Sequence, residues 1–256
     1  MRLLLVEDNE INIEVAQGLL RPTQIQVEVA RTGRQAVEMV LNGGQPYDMV
    51  LMDIQLPELD GCEATRLIRA DPRFRKLPIL AMTAHTSGDE TAKALRAGMN
   101  GYITKPLDAA TLVSTMEEYG GSPGATRRTP SASTVAAAGG EFPFVPGLDP
   151  PAALRRLGGD AKLYREVLRR FVSGQSDAGA RIQEAVQRLD WELAARLTHT
   201  VRGLAGSIAA GELQRVASQL EDAIHARDER AMAQTLSPFL LELDGLIGIL
   251  QQTLRA

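Results

Sequence analysis

A chain of 256 residues that is 44% hydrophobic and 23% charged has the balance of a soluble globular protein, with length enough for two domains. Its formal net charge of −4, without a long basic run, speaks against direct nucleic-acid binding, which rests on clustered Lys and Arg. Cys62 is the single cysteine, so an intrachain disulfide and a cysteine-based zinc site are excluded.

Residues 1–120 alternate between short apolar runs and amphipathic stretches. The runs fall at Leu3–Val6, Ile25–Val29, Met49–Met52, Ile79–Met82 and Tyr102–Thr104. Helical patterns separate or follow them at Ile11–Leu20, Gln35–Leu41, Ala64–Ile68, Glu90–Ala97 and Ala109–Met116. This alternation predicts an α/β domain, a five-stranded doubly wound parallel sheet with helices on both faces. MVLMD and PILAMT are nearly continuous in apolar character, as central strands buried on both faces should be.

Residues 121–146 are dominated by Gly, Ser, Thr, Pro and Ala without periodicity and read as a flexible linker, with Phe142–Val145 packing on the second domain. Residues 147–256 lose the strand signal. Leu154, Leu157, Leu163, Val167, Leu168 and Phe171 open a helical series that continues through Ile182, Val186, Leu189, Leu193, Leu197, Leu204 and Ile208. Leu213, Val216, Leu220 and Ile224 predict a further helix and Met232–Leu254 the last, Gly211, Asp228 and Pro238 marking turns, helix starts or a kink. The second domain is thus expected to be an all-α bundle. No stretch approaches ~20 consecutive apolar residues, and MRLLLVEDNE is too short for a signal-peptide core. A cytoplasmic location is expected, and a parent protein anchored in a membrane is compatible with it.

In an open parallel sheet, ligands bind beyond the carboxyl ends of the strands. There the pattern places Glu7 and Asp8 after the first strand, Asp53 at the end of the third, Thr83 after the fourth and Lys105 after the fifth. A lone aspartate after a strand is ordinarily a turn or a cap; five converging polar side chains are not. Three carboxylates repel one another and call for a hard cation such as Mg²⁺ (or Mn²⁺). Metal and lysine stabilise charge on a transferring phosphoryl group, and Asp53, between the others, is the natural nucleophile.

The segments LLLVEDNEIN, DMVLMDIQLPELDG, PILAMTAH and GYITKP closely resemble the response-regulator receiver family, of flavodoxin-like fold. The resemblance implies that Asp53 accepts a phosphoryl group, that Asp8 and the Gln55 backbone carbonyl bind the metal with Glu7 acting partly through water, and that Lys105 pairs with phosphoryl oxygens. It also implies a frequently cis Lys105–Pro106 bond and a switch formed by Thr83 and Tyr102.

Of three histidines, His85 and His225 read as surface residues. His199 lies ~160–200° around a helix from Leu197 and Val201, and is expected to point away from the core. Arg202, Gly203 and Gly206 follow at i+3, i+4 and i+7. Glycines inside a helix cost up to ~1 kcal/mol relative to alanine, so two beside an exposed histidine suggest close approach by another protein. A surface histidine with glycines used for helix packing is the plainer alternative. HTVRGLAGSIAA strongly resembles the histidine-phosphotransfer (HPt) motif, with Arg202 where lysine is usual. That resemblance implies a four-helix-bundle core and a phosphorylated His199.

Together these resemblances imply a two-component phosphorelay intermediate. A histidine kinase would donate to Asp53, and His199 would pass the group to a downstream response regulator receiver domain. The chain shows no glycine boxes of an ATP-binding kinase domain, so it reads as a phosphoryl carrier with slow self-dephosphorylation, free-standing or part of a hybrid histidine kinase. A small-molecule phosphatase is disfavoured because residue 55 of its D-x-D pair would be Gln, and a dead scaffold because the acidic set and His199 are all present.

Overall fold

The computed structural model describes residues 1–83, 88–119 and 145–254. The chain divides into two compact units, Met1–Ala138 and Gly139–Ala256. The linker expected over 121–146 falls almost wholly outside the described residues, as does His85; of Phe142–Val145 only Val145 is described, and it is buried.

The first unit contains β1 (Arg2–Val6), α1 (Glu10–Leu20), β2 (Gln26–Ala30), α2 (Gly33–Asn42), β3 (Met49–Asp53), α3 (Gly61–Ala70), β4 (Ile79–Thr83), α4 (Gly88–Arg96), β5 (Gly101–Thr104) and α5 (Ala109–Tyr119). The sheet is parallel throughout, in the order β2-β1-β3-β4-β5. Every residue of β3 and β4 is buried, while the edge strands β2 and β5 are half-exposed, so the continuous apolar runs are the central strands. Cys62 is a buried packing residue of α3. The strand order reverses direction between β1 and β3, and such a switch point opens a crevice at the carboxyl ends.

Helix starts are chemically defined. Asn9 caps α1 by accepting from the amides of Ile11 and Asn12, Thr32 caps α2, and Asp60 caps α3. A short 3₁₀ turn at Pro72–Phe74, capped by Asp71, has no counterpart in the periodicity.

The second unit is helical: α6 (Pro150–Arg156), α7 (Ala161–Gln175), α8 (Ala178–Gln187), α9 (Trp191–Ser207), α10 (Gly211–Ala226) and α11 (Glu229–Thr253). Helix α9 packs against α8 and α10, α10 against α11, and α11 returns to α8, which closes a four-helix ring; α6 and α7 adjoin it. Tyr164, Phe171, Phe239, Leu243 and Leu250 are fully buried in its core.

Three expectations shift. Leu189 lies beyond the end of α8 at φ 59°, largely exposed, where a helix terminus turns the chain away from the core. Leu193 and Leu197 are only partly buried; the buried face of α9 runs through Ala194, Thr198, Val201, Leu204 and Ala205, with Ile208 just past its end. Pro238 lies inside α11 and does not start a helix. Helix α11 also reaches the length and mean hydropathy (1.2) of a membrane-spanning segment, although polar residues interrupt its apolar runs; 28% of that window is buried in the fold.

Candidate functional site

The carboxyl ends of β1 and β3 bring Glu7, Asp8 and Asp53 together, each offering an oxygen within 4.8 Å of the others. Glu7 and Asp53 are buried and Asp8 is exposed. Lys105, just after β5, places Nζ 2.6 Å from Glu7 Oε2 and 2.6 Å from Asp53 Oδ2. The other oxygen of Glu7 accepts from Asn12 Nδ2 at 2.9 Å, and Asp53 Oδ1 accepts from the Gln55 amide at 3.2 Å. The Lys105–Pro106 bond is cis.

Burial raises the Asp53 carboxyl to about 7; the Lys105 ammonium opposes this and the Glu7 charge adds to it. For Lys105, burial works against the charged form but is outweighed by Asp53 and Glu7, which hold the ammonium above the usual lysine range. Three carboxylates against one ammonium leave an excess of negative charge, and an all-oxygen donor set of this kind fits a hard divalent cation.

The close packing behind Asp53 depends on Gly61. A Cβ there would lie 2.0 Å from the Asp53 carbonyl oxygen. The first residue of α3 therefore has room for no side chain. Thr83 is buried at the end of β4, and its hydroxyl donates to Glu90 Oε2 of α4 at 2.7 Å. Tyr102 on β5 is exposed. Neither Glu90 nor Gly61 stands out in the sequence as a site residue; a glycine directly after the Asp60 cap is the one local signal for the latter.

In the second unit His199 is not turned freely to solvent. Its side chain is 14% exposed, and Nδ1 lies 2.8 Å from Glu221 Oε1 of α10. Arg202 is buried, with Nη1 3.1 Å from Glu221 Oε2 and Nη2 3.1 Å from His199 Nδ1. The histidine sits on the flank of α9 facing α10, beside the buried Thr198; in the first turns of the helix the inward positions are Ala194 and Thr198, one residue on from Leu193 and Leu197, while Val201 and Leu204 are buried as expected. Glu221 escapes a reading by motif, although a carboxylate beside Leu220 and three residues before Ile224 on an apolar face signals a buried charge needing partners. The two glycines differ as well. A Cβ on Gly203 would meet nothing, whereas Gly206 is buried and its carbonyl accepts from Arg156 Nη1 at 2.6 Å. His225 is exposed.

Two family models match this chain: residues 3–117 match the response regulator receiver domain, and residues 166–255 the Hpt domain. The chain joins a receiver domain to an Hpt domain. That pairing is the equipment of a two-component phosphorelay. The receiver–Hpt chain is 28% identical over 245 residues to the signal transduction histidine-protein kinase BarA of Escherichia coli (strain K12), covering 95% of this chain and 26% of the relative. It is 28% identical over 250 residues to the sensor histidine kinase GacS of Pseudomonas protegens, covering 96% and 26%. The chain thus spans about a quarter of the length of these curated relatives, whose C-terminal parts it resembles. Among solved structures, the receiver domain of a sensor histidine kinase from Pseudomonas aeruginosa, with a magnesium ion coordinated in its active-site cleft, is 41% identical; the match covers 47% of this chain and 98% of that one, at a TM-score of 0.44.

Proposed function

We propose that Asp53 accepts a phosphoryl group from a kinase histidine and that His199 carries it onward to the receiver domain of a downstream response regulator. The observation that carries this reading is Asp53 itself, a buried carboxylate at the β1/β3 switch point with Lys105 Nζ at 2.6 Å and Glu7 and Asp8 beside it. In the first step the phosphorus–nitrogen bond of the donor breaks as a phosphorus–oxygen bond to Asp53 forms. In the second, the Asp53 acyl phosphate is cleaved by attack of a His199 ring nitrogen, and the carboxylate leaves.

Lys105 is placed to pair with phosphoryl oxygens, and in their absence it neutralises Asp53 and Glu7. Mg²⁺ or Mn²⁺ would be held by Asp8, Asp53 and the Gln55 carbonyl, with Glu7 behind them. When bound, such an ion offsets the negative charge of the transferring group. Thr83 and Tyr102 form the switch: new phosphoryl oxygens compete with Glu90 for the Thr83 hydroxyl, and the ring of Tyr102 turns inward behind it.

In the Hpt domain a hydrogen on Nδ1 donated to Glu221 leaves Nε2 as the nucleophile. The carboxylate also offsets positive charge developing on the ring as Nε2 attacks. Gly203 leaves open space where a partner receiver must come close. Domain limits of 1–120 and 147–256 with a linker between them, and a cytoplasmic setting, belong to the same proposal.

Phosphotransfer from a small acyl phosphate with Mg²⁺, read by intact mass and by acid and base lability, tests it. Wild type should label at Asp53 and then at His199. Asp53→Asn should label at neither, and His199→Gln at Asp53 alone. A folded wild type that takes no label at Asp53 overturns the reading.

A further inference from the structure

Among the described residues, the ring nitrogen Nδ1 of His199 has two claimants. Glu221 Oε1 lies 2.8 Å from it and Arg202 Nη2 3.1 Å. A carboxylate only accepts hydrogen bonds and a guanidinium only donates them. To bond Glu221, Nδ1 must carry the hydrogen of the neutral ring; to bond Arg202, it must present its lone pair. The other nitrogen takes the opposite state in each case. With Nδ1–H directed at Glu221, Nε2 has a lone pair for phosphorus. With Nδ1 accepting from Arg202, Nε2 holds the hydrogen and has no pair to give.

We propose that Glu221 and Arg202 set the His199 tautomer in opposition, Glu221 selecting the phosphoryl-accepting ring and Arg202 the silent one. The proposal rests on the reading of His199 as a phosphoryl carrier. Arg202 is a positioning residue here, acting through the imidazole. Its burial and its second contact, Nη1 to Glu221 Oε2 at 3.1 Å, keep the guanidinium beside the ring. Glu221 holds the balance by engaging both rivals at once: one oxygen draws the ring hydrogen and the other draws the arginine. An incoming phosphoryl group, anionic and bound to a partner, attracts the same guanidinium. Drawing Arg202 off Nδ1 leaves that nitrogen to Glu221, so the nucleophile is released when the donor arrives.

The test uses the full chain with ¹⁵N-labelled histidine, at a pH where the ring is neutral, with His199→Gln assigning the signals. Ring ¹⁵N shifts should show mainly Nδ1–H in wild type, more so in Arg202→Met, and mainly Nε2–H in Glu221→Ala. Glu221→Ala should slow transfer from phosphorylated Asp53 by roughly 10²-fold. Adding Arg202→Met to Glu221→Ala should restore part of that loss and move the tautomer back. A purely structural arginine predicts the reverse, a double variant no faster than Glu221→Ala and tautomers unchanged by Arg202→Met; either finding, with helical content kept, overturns the proposal. The carrier reading fails separately, if His199→Gln leaves labelling of the Hpt domain intact.

Discussion

At the scale of single residues, Asp53 shows function set against stability. Burial raises its carboxyl to about 7 from an ordinary value of 3.8. A carboxyl whose folded pKa exceeds its unfolded one binds more protons when folded, so stability falls as pH rises from about 4 to about 7. Without divalent metal, Asp53→Asn should therefore stabilise the receiver at pH 7.5 by about 1–3 kcal/mol, and the gain should vanish near pH 4. Thermal denaturation with a chelator, across that range, checks both sign and window. Thr83 gives a second residue-scale prediction. Glu90→Ala removes the acceptor that competes for its hydroxyl, so phosphorylated Asp53 should persist longer or form faster. In a Thr83→Ala background the Glu90→Ala change should then have no effect, which the decay of labelled Asp53 measures.

At the scale of elements, two glycines have opposite consequences. Gly61 begins α3 where a methyl group would meet the Asp53 carbonyl oxygen at 2.0 Å. Backbone on one side and backbone on the other cannot give way cheaply, so Gly61→Ala should destabilise by at least about 1–3 kcal/mol. Urea melts read by the receiver's far-ultraviolet signal check this. Gly203 sits in α9 with open space beyond it. Gly203→Ala should raise helix stability by up to ~1 kcal/mol while slowing transfer to a separate receiver. Unchanged transfer would mean that no partner approaches that face closely.

At the scale of the whole molecule, the parallel sheet and the helical ring each bury their own core. Two thermal transitions are expected, and only the receiver's should shift upward with Mg²⁺, since a ligand stabilises the fold that binds it. Scanning calorimetry with and without the ion measures this directly.

Local periodicity and motif carry the architecture and most of the chemistry into the sequence. Apolar runs of four or five residues spaced by amphipathic helices require a parallel sheet, and Asp53, Glu7, Asp8, Thr83 and Lys105 fall at strand ends by the same alternation. His199 was legible as the histidine set among Arg202, Gly203 and Gly206. Which atoms meet is a matter of packing. In the first turns of α9 the inward positions fall one residue on from Leu193 and Leu197, which brings His199 toward α10, since a helix rotates 100° per residue. Glu221, distant in sequence, becomes its partner through helix packing, which no local pattern encodes. Glu90 on Thr83 and Gly61 behind Asp53 are nearer in sequence, but each pair also meets only once a helix packs back on the strand before it. Long-range contacts are fixed by how the elements pack, and there the chemistry of both sites is finally set.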